Sequence, residues 1–284
     1  MAFTVRKTQP FPGVTLIEGD VLDVLASMPP ASVDLVFGSP PYEDARTYGI
    51  DVRMKGQEWV DWMVAVVRAS LRVSRGLVAF VVEGRTRQFR WSATPALLMA
   101  DLHRAGVHLR KPPAFERHGT PGSGGSDWLR NDYEFIVCAT NGGRLLWSEN
   151  TAMGTPCKYQ HGGGATSRRR NGSRQHSQTY AQPKIANPGN VVDCGAVGGG
   201  NMGNRLCHEN EAPFPESLAE FFVRSFCPPA GVVLDPFSGS GTTVCVARQW
   251  NRQGIGIDVR ASQIELATMR LLADQTEAPL LMHS

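Results

Sequence analysis

Apolar and polar positions along this chain follow two alternating periods. Val14 to Glu18 alternates with period two and predicts a strand. Gly19-Asp20 turns it into a short helix, Val21 to Met28, which Pro29-Pro30 closes. Val33 to Phe37 is a compact apolar run of the buried-strand type. Trp59, Val60, Trp62, Met63, Val66, Val67 and Leu71 then recur at helical spacing, and such a stripe reads as a core-facing helix. Gly76 ends it before Leu77 to Val82, a continuous apolar strand. Thr94 to Arg104 predicts a second long helix stopped by Gly106, Val107 to Leu109 a short strand, and Tyr133 to Ala139 a strand rich in apolar and aromatic residues.

The pattern dissolves at Asn141. From there to Arg205 apolar periodicity is sparse and glycine abundant, with Gly162-Gly163-Gly164 and Gly198-Gly199-Gly200. Order returns at Phe214. A helix opens at Glu216-Ser217 and runs through Phe226 to Pro228-Pro229. A buried strand follows at Gly231 to Asp235, then a helix through Val244 to Trp250, a strand Ile255 to Asp258, and a last helix from Ala261 to Leu272. Strand and helix in alternation predict an α/β fold, a doubly wound and mostly parallel sheet. The chain divides into 1–140, a basic Gly-rich insertion at 141–205, and 206–284.

Composition adds constraints. Of 284 residues, 42% are hydrophobic and 19% charged, enough apolar material for a substantial core. Net charge is only +3, so a polyanionic partner must meet a local patch. The insertion supplies one: Arg168, Arg169, Arg170 and Arg174 lie in a region whose only acids are Glu149 and Asp193. No stretch is apolar enough to span a bilayer, and the N-terminus lacks a secretory pattern, so a cytoplasmic location with reduced thiols is expected. Cys157, His161, Cys194, Cys207 and His208 match no compact ligand spacing, so no metal is expected.

Two short constellations carry chemistry. The strand at Val33 runs into Ser39-Pro40-Pro41-Tyr42. Two prolines end the strand and hold the backbone extended, leaving carbonyls to accept. Ser39 adds a hydroxyl, and Tyr42 a flat ring with a polar tip. Such a group suits a planar ring bearing an amino substituent; by itself it is a rigid turn with a packed tyrosine. The second constellation follows the strand ending at Asp235: Pro236-Phe237-Ser238-Gly239-Ser240-Gly241-Thr242-Thr243, a helix, and a strand ending at Asp258. Strand, glycine loop, helix and a terminal acid about twenty residues on form a nucleotide-binding half-fold, the acid placed to take both ribose hydroxyls. No lysine follows Gly241, so a triphosphate is excluded. Asp235 at the strand end would face an amino group. A ribose-bearing ligand with a carboxylate and an amine fits, as S-adenosylmethionine has.

Together, Ser39-Pro40-Pro41-Tyr42 and Asp235 to Thr243 resemble the S-adenosylmethionine-dependent DNA amino-methyltransferases, which methylate cytosine N4 or adenine N6. The catalytic tetrapeptide precedes the cofactor loop, as in the circularly permuted β group of that family. The resemblance implies that Ser39, Pro40, Pro41 and Tyr42 are catalytic. It makes Asp235, Pro236, Phe237, Gly239, Ser240, Gly241, Thr242 and Thr243 the cofactor loop, and Asp258 the ribose acid. Asp20 matches the adenine-binding element, and Phe214 the segment covering the methionine end. The implied substrate is double-stranded DNA with the target base flipped out, contacted by Arg46 and the arginines of the insertion, with room for a restriction endonuclease as functional partner. Serine at the first motif position favours cytosine N4, with adenine N6 as the alternative. A methyltransferase acting on RNA or a small molecule, and a non-catalytic DNA-binding relative, are the rival classes.

Overall fold

The computed structural model describes residues 5–44, 53–118, 124–157, 165–177, 183–195, 202–203, 205–210 and 212–277. The strands are β1 (Arg6–Phe11), β2 (Val14–Glu18), β3 (Val33–Gly38), β4 (Ser74–Val82), β5 (Thr86–Arg87), β6 (Arg90–Trp91), β7 (His108–Leu109), β8 (Ala114–Glu116), β9 (Tyr133–Thr140), β10 (Thr155–Pro156), β11 (Ala165–Arg168), β12 (Arg174–Ser177), β13 (Ile185–Ala186), β14 (Val191–Asp193), β15 (Val232–Asp235) and β16 (Gln253–Asp258). The helices are α1 (Val21–Ser27), α2 (Gln57–Val73), α3 (Thr94–Arg104), α4 (Glu216–Phe226), α5 (Thr242–Gln249) and α6 (Ala261–Glu277).

The main sheet runs β1-β2-β16-β15-β3-β4-β9-β8-β14, with β7 also paired to β9. Its centre, β2-β16-β15-β3-β4, is parallel throughout. The β9 strand is antiparallel to both β4 and β8, while β14 returns parallel to β8. This is the doubly wound, mostly parallel α/β sheet expected.

The order of strands places the site. From β3 the chain crosses through α2 to β4 in one direction; from β15 it crosses through α5 to β16 in the other. β3 and β15 are neighbours, so the reversal falls between them. Open α/β sheets bind ligands in the crevice outside the carboxyl ends of the strands at such a reversal. Both constellations of the sequence start there.

Two apolar layers hold the sheet. The inward faces of α1, α2 and α3 form one, including Trp59, Met63, Val67, Leu98 and Leu102, all buried. Helices α4 and α5 form the other around Phe37, Phe222 and Val223. The rings of Phe37 and Phe222 stack with centroids 4.6 Å apart. α5 and α6 add a third cluster over β2. The buried carboxylate of Asp34 takes the Arg75 guanidinium at 2.6 and 2.9 Å and the Val232 N–H at 2.9 Å, tying β3, β4 and β15 together.

The described parts of 141–205 include small two-stranded pairs β10-β13 and β11-β12. The three residues of β14 nonetheless return to the main sheet, too short a run to carry a period. Of the five residues considered for a metal, His161 lies outside the described residues; among those described, no group of three His, Cys, Asp or Glu side chains gathers. No helix among the described residues is long and apolar enough to cross a membrane.

Candidate active site

The end of β3 delivers Ser39-Pro40-Pro41 to the crevice, and the end of β15 delivers the glycine loop. A cavity of about 280 Å³ lies between them. Ser39, Pro40 and Pro41 form one side; Pro236, Phe237, Ser238, Gly239 and Thr242 form another. Gly19, Asp20, Phe214 and Asp258 complete it, so segments far apart in the sequence converge on one hollow.

Each wall is fixed by local chemistry. Asp20 caps α1, its Oδ1 accepting from the N–H groups of Leu22 (2.8 Å) and Asp23 (3.2 Å). Gly19 donates its N–H to the Asp258 carbonyl at 3.0 Å, so β2 and β16 end together. Asp258 accepts from the Gly239 N–H at 3.1 Å on Oδ2 and from the Arg260 N–H at 2.9 Å on Oδ1. Burial pushes its carboxyl above the ordinary range, opposed by the Arg260 N–H and the guanidinium beside it. Oδ1 also accepts from the Arg260 Nε–H at 3.4 Å, so it is Oδ2 that keeps a lone pair for a further donor such as a ribose hydroxyl.

Gly239 is at φ +48°, and a Cβ there would lie 2.9 Å from Asn210 Nδ2. The positive φ favours glycine here, and the missing side chain keeps the loop close to Asn210. Among the described residues, the buried Asn210 Oδ1 and Ser238 Oγ have no hydrogen-bond partner, and both residues line the cavity. Buried polar atoms left unpaired mark a place that a polar ligand completes. These donors and acceptors fit a ligand carrying a ribose, an amine and a carboxylate.

The tetrapeptide is held by its neighbours. The Ser39 hydroxyl donates to the Val81 carbonyl at 3.3 Å, which uses its proton and leaves its lone pairs to accept. The Pro41 carbonyl accepts from the Trp59 indole at 2.9 Å. The Pro41 carbonyl is thus already engaged, against the expectation that both proline carbonyls stay available. Tyr42 lies beyond the cavity wall, half-buried, with its hydroxyl donating to Glu134 Oε2 at 2.8 Å. Arg117 pairs with the other oxygen of Glu134.

Four residues of the expected loop lie behind the wall rather than on it. Asp235, Ser240, Gly241 and Thr243 are buried, because the chain turns inward to start α5. Asp235 accepts from the Phe237 N–H at 3.0 Å and shapes the turn, instead of facing a ligand amine. Burial pushes its carboxyl up to about 7. Ser240 and Thr242 are bound from beneath by Arg270, which is fully buried and donates to Ser240 Oγ (3.2 Å), Thr242 Oγ1 (2.8 Å) and Glu216 Oε1 (2.6 Å).

Arg46 lies outside the described residues. Arg168 and Arg174 face each other in the register of the β11-β12 hairpin, whose turn carries Arg169 and Arg170; all four are exposed. Like charges directly opposite repel unless an anion lies between them.

The sequence reading missed Trp62, Met54, Asn210 and Arg260 on the cavity wall. Trp62 belongs to the apolar stripe of α2 but leans onto Phe237, centroids 5.6 Å apart. Its one signal is that the stripe is wider than a single core face. Asn210 and Arg260 sit in irregular backbone and carry none.

Comparison with known proteins gives the family and the fold. The family model described as "DNA methylase", covering N6 and N4 enzymes, matches residues 33–269, and the chain belongs to that family. The DNA adenine methyltransferase YhdJ of Escherichia coli (strain K12) is 26% identical over 261 residues, spanning 90% of this chain and 82% of that protein. Among solved structures, the PvuII DNA methyltransferase (cytosine-N4-specific) superposes with a TM-score of 0.67 at 18% identity, covering 90% of this chain and 86% of that one. TTHA0409 from Thermus thermophilus, a putative DNA modification methylase complexed with S-adenosyl-L-methionine, superposes with a TM-score of 0.57 at 23% identity, covering 90% and 94%. The chain is thus a DNA amino-methyltransferase, of the class acting on N4 or N6.

Proposed function

We propose that this chain transfers a methyl group from S-adenosyl-L-methionine to the exocyclic N4 of cytosine in double-stranded DNA. The observation that carries this reading is the single cavity walled by Ser39-Pro40-Pro41 on one side and the glycine loop with Asp258 on the other. Asp258 would hold the ribose, Asp20 and its flanking backbone the adenine, and Phe214 and the loop the methionine end. Bound there, the cofactor supplies an activated sulfonium methyl.

The chain's own part is positioning and electrostatics. The lone pair of an exocyclic amino nitrogen is delocalised into its ring and nucleophilically weak. Ser39 Oγ, with its proton committed to Val81, and the Pro40 carbonyl accept from the amino hydrogens and localise that pair. Tyr42, tethered by Glu134, offers its ring face to a base turned out of the duplex. No thiol is needed as nucleophile, and burial pushes Cys138, Cys227 and Cys245 up to about 12, far from a reactive thiolate. The exposed arginines around the β11-β12 turn would meet phosphates. The catalytic motif ahead of the cofactor loop supports the β group, with 141–205 as the segment that reads the target. A restriction endonuclease of the same specificity is the partner such an enzyme would guard DNA against.

Serine in the first motif position supports cytosine over adenine. Mass spectrometry of nucleosides from DNA incubated with enzyme and cofactor tests this, with N4-methylcytosine expected. N6-methyladenine would overturn the base and keep the class; neither product would overturn the class.

A further inference from the structure

A second concentration of unusual residues lies beside the catalytic motif, outside the cofactor cavity. The strands β5 and β6 form a small hairpin whose two-residue turn is Gln88-Phe89. Both turn residues have positive φ, +47° and +62°. Two-residue turns of this kind favour Asn-Gly, and a bulky side chain at positive φ is an outlier. Phe89 is also 78% exposed, touching Trp128 edge-on with centroids 5.3 Å apart. A large apolar ring held at a hairpin tip, at a conformational cost, does not serve the core.

The surroundings specify what it meets. Arg87 and Arg90 flank the tip, and the hollow beside Phe89 is lined by Arg130 together with Glu83, Asp127 and Asp132. With Arg87 paired to Asp44, Arg90 sets positive charge beside the apolar tip, which is complementary to a stacked base step and its phosphate. The root of the hairpin is bolted to the loop after Tyr42: Arg85 donates its backbone N–H to Glu43 Oε1 at 3.2 Å and its guanidinium to the Asp44 carbonyl at 2.7 Å, and Arg87 pairs with Asp44 Oδ2 at 2.7 Å. The hairpin root is therefore tied to the two residues that directly follow the tetrapeptide. Trp91 stacks on Phe135, and the residue between Phe135 and Tyr133 is Glu134, the partner of Tyr42.

We propose that Phe89 is a wedge that enters the DNA duplex and holds open the gap left by the extruded target base. This rests on the DNA-methyltransferase reading and extends it with a residue outside the catalytic and cofactor motifs. A base in the stack is costly to extrude, and a ring that replaces its stacking lowers that cost.

The test uses the full chain, labelled cofactor and a duplex bearing the site that the wild type itself methylates, mapped by sequencing. A second duplex carries an abasic position opposite the target base, which removes the pairing that the wedge must break. Phe89→Ala should lose at least about tenfold in methylation rate on the intact duplex and recover to within about threefold of wild type on the abasic one. Phe89→Leu, still apolar, should keep most of the rate on both. Cofactor affinity should not change. Equal rates for Phe89→Ala and wild type on the intact duplex, or equal losses on both duplexes, would overturn the wedge. A wild type that methylates no duplex at all would overturn the reading beneath it and the wedge together.

Discussion

Gly38 stands against Asp235: a Cβ on Gly38 would lie 2.2 Å from Asp235 Oδ1. The residue just before Ser39-Pro40-Pro41-Tyr42 thus packs on the residue that opens the glycine loop, and two motifs about two hundred residues apart are set in one frame. No side chain larger than hydrogen fits. Gly38→Ala must displace either the carboxylate or the strand end, and overpacking of this kind costs about 1–3 kcal/mol. Cofactor affinity should fall by tenfold or more, with a lower melting temperature, as read by calorimetry and thermal denaturation. Unchanged values for both would show that the two motifs are independent.

Asp235 also gives the fold a pH dependence. The folded protein keeps its proton up to about 7 against an ordinary 3.8, because burial disfavours the charge. Between those values the unfolded chain has released a proton that the folded one holds, so this group costs stability as pH rises from about 4 to about 7. The loss is on the order of 4 kcal/mol at most. Asp235→Asn keeps an acceptor for the Phe237 N–H without the charge. Its melting temperature should therefore gain on wild type as pH rises from 4 to 8, and a constant difference across that range would contradict the assignment.

Asp258 lines the cavity with a carboxylate whose backbone donors come from Gly239 and Arg260. Charged hydrogen bonds to a ligand are worth about 1.5–3 kcal/mol. Asp258→Ala should weaken cofactor binding by about 10- to 100-fold by calorimetry. Unaltered affinity would remove the ribose role.

The arginines of the β11-β12 hairpin should act through phosphates. Changing Arg168, Arg169 and Arg170 together to alanine should weaken DNA binding. It should also flatten the slope of log affinity against log salt, by about 0.9 for each phosphate no longer neutralised. A titration series giving the wild-type slope would leave that hairpin without a place at the DNA.

Much of this fold was legible in the sequence, for physical reasons that also mark the limits. β3, β4 and β15 are buried on both faces and therefore read as continuous apolar runs. α2 carries an apolar stripe long enough to show its period. β1 was not predicted: its sequence RKTQPF is largely polar and contains a proline, which only an edge strand tolerates. Of the site, the glycine loop and the tetrapeptide were legible because their backbone demands select unusual residues. Arg270 was not, since one arginine on an amphipathic helix looks the same whether it faces water or, as here, is fully buried beneath the loop. The inward turn of Asp235 was equally silent, because a strand-end aspartate can face a ligand or its own backbone.

The central claim is that the cavity joins a cofactor site to an amino-group acceptor at Ser39. It is tested most directly by transfer of labelled methyl from S-adenosylmethionine to genomic DNA, comparing wild type with Ser39→Ala, with cofactor affinity measured alongside. Wild type should incorporate label. Ser39→Ala should lose about 100- to 1,000-fold in rate, the usual effect of removing one positioned polar group, while binding cofactor within about threefold of wild type. Full transfer by Ser39→Ala, or none by wild type, would contradict the account.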